Sequence, residues 1–529
     1  MKIKRILTGA LAAALCLSAA ACGGKNNKVT EDRNHIEMHV MDAGYRTEAF
    51  YQLAEAFKVH YPDVTIKITP ASDINSKLIS ELSRPSGVGD IWFAGEQNII
   101  RLVEKTKSCP LTDMTDLMGM TALGEEKTLE EKINPRYKYY DTYKNKYYSI
   151  SWVYGACGIM YNANYLTEAQ EPKTTKQFIT LVKNIAAGKA AGIPKSVKPI
   201  IWSGNNAAGY MSYAVETWKA QYMGVDKYDA MVNYCDNGNY TYELLNDDGV
   251  LYAYQTVKQI ADPSYSVEGS SGFQHTPAQQ DFLRGAAVFM PNGDWIETEM
   301  RTSADESSIT QNIKFLPTPI VSELGVKLRL GGANATEDEH ETMLIAVVTA
   351  IDEGKTDAEI KEAYPTLSDK QIAAVREARS VVYTLGASHR IYIPTYCKAK
   401  TACYNFVRFM ASDEGIKIFR KYAGSHSPFE YTNVPEDEEL TVFQKSQDKV
   451  LKNCNLIYDT ITKSPIRALL PICAPGRRYA FGPTVVPLPT LQESKTEAFT
   501  VTLSPKTAFS SLFPPLSTQF LPITLPVPI

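Results

Sequence analysis

Residues 35–71 read HIEMHVMDAGYRTEAFYQLAEAFKVHYPDVTIKITPA, and three kinds of local order follow one another in them. Ile36, Met38 and Val40 alternate with polar residues, the period of a half-buried strand, and the alternation ends at a turn. From Thr47 the apolar residues fall at helical spacing. Val64–Ala71 alternates again. Strand, helix and strand within about forty residues make a βαβ unit, so a parallel sheet is expected.

The pattern recurs downstream. NSKLISELSRP (75–85) reads as a helix, GDIWFAG (89–95) as a strand and EQNIIRLVEKT (96–106) as a helix. The fold class is therefore α/β, with an open sheet whose ligands bind beyond the C-terminal ends of the strands. Residues 135–155, PRYKYYDTYKNKYYSISWVYG, are rich in tyrosine. A second α/β region follows, with helices near 175–187 and 210–222 and a strand at 285–291. LIAVV (344–348) reads as a strand, and the polar helical segment 352–380 looks inserted after it. TACYNFVRFMASDEGIKIFRKYAG (401–424) reads as an amphipathic helix pair that stops at Gly424.

With 529 residues the chain has material for two or three domains. A net charge of −4 gives no electrostatic reason to expect nucleic acid. Nine cysteines stand at scattered positions, and Cys397 and Cys403, six apart, match no metal-ligand spacing. Buried free thiols are expected rather than a disulfide framework. The sequence contains no GxSxG, HExxH or phosphate-binding loop.

Both ends differ from the middle. MKIKRILTGALAAALCLSAAACGG (1–24) has three early cations, an apolar run too short to span a membrane, and small residues before Cys22. It resembles a bacterial lipoprotein signal, with residues 1–21 removed and Cys22 lipidated; the match departs at Ala19, where such signals usually carry leucine. The alternative is an ordinary secreted protein with a chance cysteine. Residues 22–34 then form a polar tether. At the other end, residues 481–529 hold four charged residues among many prolines. This anomalous tail is read as the product of a frameshift or gene-model error, with a lineage-specific tail as the alternative.

Five blocks in order carry a family resemblance: AEAFKVHYPDVTIKI (54–68), GDIWFAGEQ (89–97), KNKYYSISWVYGACGIMYNANYL (144–166), RGAAVFMPNGDWIETEM (284–300) and IPTYCKAKTACYNFVRFMASDEGIKIF (393–419). From about His35 to about Arg467 the chain resembles the extracellular solute-binding proteins of bacterial ABC importers, in the maltose-binding-protein-like group of family 1. The resemblance implies a two-lobe periplasmic-binding-protein-like fold (type II), with discontinuous lobes joined by hinge strands. Lobe 1 is placed at 35–147 plus 320–435, and lobe 2 at 148–319 plus 436–480. It further implies a sugar or oligosaccharide ligand in the cleft and delivery to ABC permease subunits with a cytoplasmic ATPase behind them. A monomer on the extracytoplasmic face of a Gram-positive membrane is expected, held by its lipid anchor, with no cofactor, no metal and no nucleic acid.

A sugar offers hydroxyls to polar groups and C–H faces to rings, so its cleft needs aromatic platforms beside carboxylates and amides. Trp295, presented by Asn292 and Gly293 after a buried strand, is the first candidate platform, with Asp294 beside it; the family's equivalent tryptophan stacks on sugar. Alternatively, Trp295 is a core residue that anchors the turn. Trp295→Ala is expected to weaken sugar binding about tenfold or more with little loss of stability. Trp152 and Tyr154 are candidates for the cleft floor or for hinge packing. Glu96 and Gln97 follow the GDIWFAG strand, where Glu96 serves as a hydroxyl acceptor or as a helix N-terminal carboxylate. Asp42 and Tyr45 follow the first strand, and Trp202 with Asn205 follows another. His389 and Arg390 border the cleft or lie at the surface. Three alternatives stay open: an extracellular enzyme; the same fold binding a polyamine or peptide; and a surface lipoprotein without a transport role.

Overall fold

The computed structural model describes residues 32–463, apart from 46, 85, 105, 107, 206–207, 302–311, 433–439 and 461–462. The expected signal (1–21), Cys22, nearly all of the tether, residues 464–480 and the tail (481–529) lie outside the described residues.

The first sheet takes β1 (His35–Met41), β2 (Thr65–Ala71), β3 (Ile91–Gly95) and β4 (Ile150–Ser151). The second takes β5 (Cys157–Asn162), β6 (Lys198–Ile200), β7 (Ala287–Gly293), β8 (Ile313–Leu316) and β9 (Val381–Tyr383). The chain then returns to the first sheet as β10 (His389–Tyr392) and ends in the second as β11 (Asn455–Ile457). The strand order is β2-β1-β3-β10-β4 in one sheet and β11-β9-β5-β7-β6 in the other, with β8 also paired to β5.

The opening stretch forms the parallel pair its periodicity predicts, with Ile36 beside Ile66 and Met38 beside Ile68. Between them α1 (Glu48–His60) buries Ala49, Phe50, Leu53, Ala54 and Phe57 against the sheet. Central strands are covered on both faces and read as continuous apolar runs. All residues of β3, β5 and β7 are buried accordingly.

Helix α2 (Ala208–Met223) packs on β5, β7 and β9 of the second sheet. The expected helix pair is α3 (Lys400–Met410) and α4 (Asp413–Ala423), and Gly424 caps α4 at φ +70°. Helix α4 packs on α1, and α5 (Val442–Leu451) packs on β8.

Two expectations change. LIAVV is not a strand; it lies inside the helix Glu337–Asp352. Leu344, Val347 and Val348 recur at helical spacing, and Thr336 with Glu339 closes a capping box at the start. The helices at Asp357–Ala363 and Asp369–Ser380 follow, and all three share an apolar core around Leu344, Val347, Ile360, Ile372 and Val375. The second concerns residue 320, where the second part of lobe 1 is expected to begin. Val381–Tyr383 still pairs with β11 and β5 of the second sheet, so the return to the first sheet falls between Tyr383 and His389. The Asp369–Ser380 helix, packed on α2, carries the chain to that edge.

The two short crossings, 152–156 and 384–388, run side by side. A Cβ on Gly386 would stand 2.7 Å from the Val153 carbonyl oxygen, and one on Gly155 would stand 2.8 Å from the Tyr45 hydroxyl. Only glycine allows that approach. No helix among the described residues is long and apolar enough to cross a membrane.

Candidate functional site

The crossings bring together side chains from both sheets. The loop after β1 delivers Tyr45, β4 runs into Trp152, β10 begins at His389, and β7 runs into Asp294 and Trp295. Tyr45 is the hub. Its ring centroid lies 6.1 Å from Trp152, 6.1 Å from Trp295 and 5.3 Å from His389, each in an edge-to-face arrangement. Trp152 and His389 also meet edge to face at 5.3 Å. Beyond Trp295 lie Tyr210 at 6.1 Å and Tyr213 at 6.2 Å, both from α2, and Tyr213 stacks on Tyr383 at 5.4 Å. The assembly spans the ends of both sheets.

The NGDW motif now has a physical reason. The Trp295 ring folds back over its own strand, so that a Cβ on Gly293 would lie 2.0 Å from ring atom Cζ3. Glycine is required under the ring. Trp295 itself is only 5% exposed. It packs as core in this arrangement, so the expectation that Trp295→Ala leaves stability nearly intact is corrected: a buried tryptophan removed to alanine costs about 3–5 kcal/mol.

Asp294 is fully buried and already holds three donors. Its Oδ1 accepts from the Tyr45 hydroxyl at 2.7 Å, and its Oδ2 accepts from Gln447 Nε2 at 2.6 Å and from the Ser425 hydroxyl. Burial pushes its carboxyl up to about 7 against the pull of those hydrogen bonds. Asp294 therefore ties β7 to the first-sheet loop, to the residue after Gly424 and to α5. His389 is driven down to about 4 by burial, so its imidazole is neutral at neutral pH. The Trp152 indole Nε1 is buried among these rings with no hydrogen-bond partner.

Beside the rings lies a buried ionic cluster. Arg390 is fully buried, not at the surface. It donates to Glu96 Oε1 at 3.0 Å, to the Tyr140 carbonyl at 3.1 Å and to Ser149 at 3.1 Å, and it stands 3.5 Å from Asp141. Glu96 Oε2 accepts from the Tyr458 hydroxyl at 2.8 Å, and Thr460 donates to Oε1. Burial raises the Asp141 carboxyl to about 6, with Arg390 pulling the other way. Glu96 thus links the end of β3 to the segment after β11, which joins the two sheets.

The other expected site residues stand apart. Gln97 donates to Gly95 and Asn75, and its backbone N–H meets the Tyr392 hydroxyl at 2.8 Å. Tyr154 is half-buried, with its hydroxyl 3.2 Å from the Cys454 sulfur and its ring edge on Tyr137. Trp202 packs against the separate apolar core under the second sheet. Asn205 and Asp42 are exposed, and their backbone N–H groups are held by Phe273 and Ala71. Sequence reasoning passed over Tyr210, Tyr213, Tyr383 and Tyr458. Tyr210 and Tyr213, three apart on α2, offered one signal: two rings on one face of a helix. Among the described residues no group of His, Cys, Asp and Glu is arranged to hold a metal ion.

Residues 52–440 match the bacterial extracellular solute-binding protein family, and the chain belongs to it. This is a family of binding proteins, not enzymes. Solved structures share the fold at low sequence identity. RafE in complex with raffinose aligns at TM-score 0.53 and 16% identity, over 80% of this chain and 89% of that one. Apo RafE from Streptococcus pneumoniae aligns at 0.52 and 15%, over 80% and 88%. The solute receptor AcbH, described as preferring β-D-galactopyranose, aligns at 0.54 and 12%, over 82% and 95%. No match was found among curated protein sequences.

Proposed function

We propose that this solute-binding protein captures a sugar or oligosaccharide where the ends of the two sheets meet, and delivers it to the permease of an ABC importer. One observation carries the reading: the buried Trp152 indole N–H has no acceptor, in a setting made of aromatic rings. Leaving such a donor unpaired costs about 1–3 kcal/mol, and a sugar hydroxyl would supply the missing acceptor. The faces of Trp295, Tyr45 and Tyr210 suit the C–H faces of a pyranose. RafE, solved in complex with raffinose, and AcbH, described as preferring β-D-galactopyranose, support a neutral carbohydrate over a polyamine or peptide.

The rings cover one another, so entry requires the sheets to part about the crossings at 152–156 and 384–388. On this reading each sheet with its helices is one lobe, and Asp294, Glu96 and Tyr45 are closure contacts. The ligand stabilises the closed state by the contacts it makes only there. Cys22, lipidated after removal of residues 1–21, holds the monomer on the outer face of a Gram-positive membrane. Tethering raises its effective concentration beside the permease. A thermal-shift screen of α-galactosides, chitin and xylan oligosaccharides, polyamines and peptides tests the reading. A rise in Tm with a carbohydrate is expected; a rise with polyamines or peptides alone would overturn it.

A further inference from the structure

Outside the aromatic junction two thiols lie in contact. Cys397 Sγ and Cys403 Sγ stand 4.0 Å apart. Both are free thiols, and among the described residues theirs is the one thiol–thiol contact. Cys403 is buried on the first turn of α3, whereas Cys397 is half-buried in the loop that leads into that helix. A disulfide needs the sulfurs about 2 Å closer, a movement within reach of a loop residue facing a helix.

The loop between them has a job in the fold. The Lys398 carbonyl accepts the Arg33 backbone N–H at 2.8 Å, and the Lys398 N–H donates to Asp90 at 3.0 Å. Asp90 also pairs with the Arg33 guanidinium at 2.6 Å, and the Thr401 N–H donates to Asp32 at 3.1 Å. These contacts dock Asp32 and Arg33, where the expected tether enters the folded body.

We propose that Cys397 and Cys403 are a redox modification site, closing to an internal disulfide when the protein meets an external disulfide, and that the bond locks the loop holding Asp32 and Arg33. Burial holds the Cys403 thiol well above its ordinary range, so the more exposed Cys397 is the sulfur that an incoming disulfide reaches first. Deprotonated Cys397 attacks one sulfur of the external disulfide and releases one thiolate, leaving a mixed disulfide. Cys403 then gives up its proton and attacks the Cys397 sulfur, releasing the second thiolate. Two protein thiols are oxidised, and one external disulfide is reduced to two thiols.

The test uses the full chain, purified under reducing conditions and then treated with oxidised glutathione. Trypsin cuts after Lys398 and Lys400, so the cysteines fall in different peptides, 391–398 and 401–408. The expected product is one species joining these peptides, about 2 Da lighter than their sum and split by reductant. Cys403→Ser should instead retain a glutathione adduct on Cys397. In native protein, oxidation should slow tryptic cleavage after Arg33 and Lys398 at least about fivefold, since cleavage there needs local opening. Both thiols still open to alkylation, a stable adduct on Cys397 of the unsubstituted chain, or a bond to another cysteine or a second molecule would overturn the proposal. Unchanged cleavage after Arg33 would overturn the locking role.

Discussion

Asp294→Asn should remove a pH dependence that the buried carboxyl imposes on stability. Burial raises the Asp294 carboxyl from an ordinary 3.8 to about 7 in the folded chain. The folded state therefore keeps this proton to a higher pH than the unfolded chain does. Stability from this group is full below about pH 4, falls as pH rises and is gone above about pH 7. A gap of about three pH units at about 1.4 kcal/mol each puts the change on the order of 4 kcal/mol. Asparagine stays neutral throughout. It loses some acceptance from Tyr45, Ser425 and Gln447, at a cost of about 1–3 kcal/mol that does not depend on pH. Urea unfolding of both proteins from about pH 4 to pH 8, compared pH by pH, isolates the term. Asp352 and Asp448 are held below the usual carboxylate range and titrate in the opposite sense, but they are common to both proteins and cancel in the difference. The stability of Asp294→Asn relative to the unsubstituted chain should rise with pH by several kcal/mol. A flat difference, or one that falls with pH, would show instead that the three donors hold Asp294 ionised in the folded chain.

Trp295→Ala should cost about 3–5 kcal/mol in urea unfolding and weaken sugar binding about tenfold or more by calorimetry. Gly293→Ala should push the indole off its strand, costing about 1–3 kcal/mol and shifting tryptophan fluorescence to the red. Glu96→Gln leaves the buried Arg390 with Asp141 as its remaining carboxylate, so stability at neutral pH should drop by about 3 kcal/mol.

Local periodicity made much of this fold legible. The βαβ opening, the helix pair ending at Gly424 and the apolar runs of β3 and of the first half of β7 all follow from nearest-neighbour patterns. LIAVV failed because five apolar residues in a row fit a buried strand or a helix equally well, and the deciding capping box lies eight residues upstream, at Thr336. Where the chain rejoins the first sheet is not legible locally because strand partnership is a long-range property: β9 pairs with a strand more than seventy residues downstream. In the junction, Tyr45, Asp294 and Trp295 are legible as residues that follow strands, and Trp152 as a residue of the cleft floor or the hinge. Their mutual packing was not. The sequence leaves Arg390 between cleft border and surface because its partners Glu96, Tyr140, Ser149 and Thr460 are all distant along the chain. An arginine between apolar residues in HRIYIP is the pattern of a charge carried into a core, and such a charge needs partners that only the fold supplies.

The proposed sugar site is the ring junction around Trp152. Trp152→Phe keeps an aromatic ring but removes the unpartnered N–H. Titration calorimetry with the carbohydrate selected by thermal shift should show one-to-one binding to the unsubstituted chain, and binding at least about tenfold weaker to Trp152→Phe, the loss of one buried hydrogen bond. Equal affinity in the two proteins would contradict that assignment.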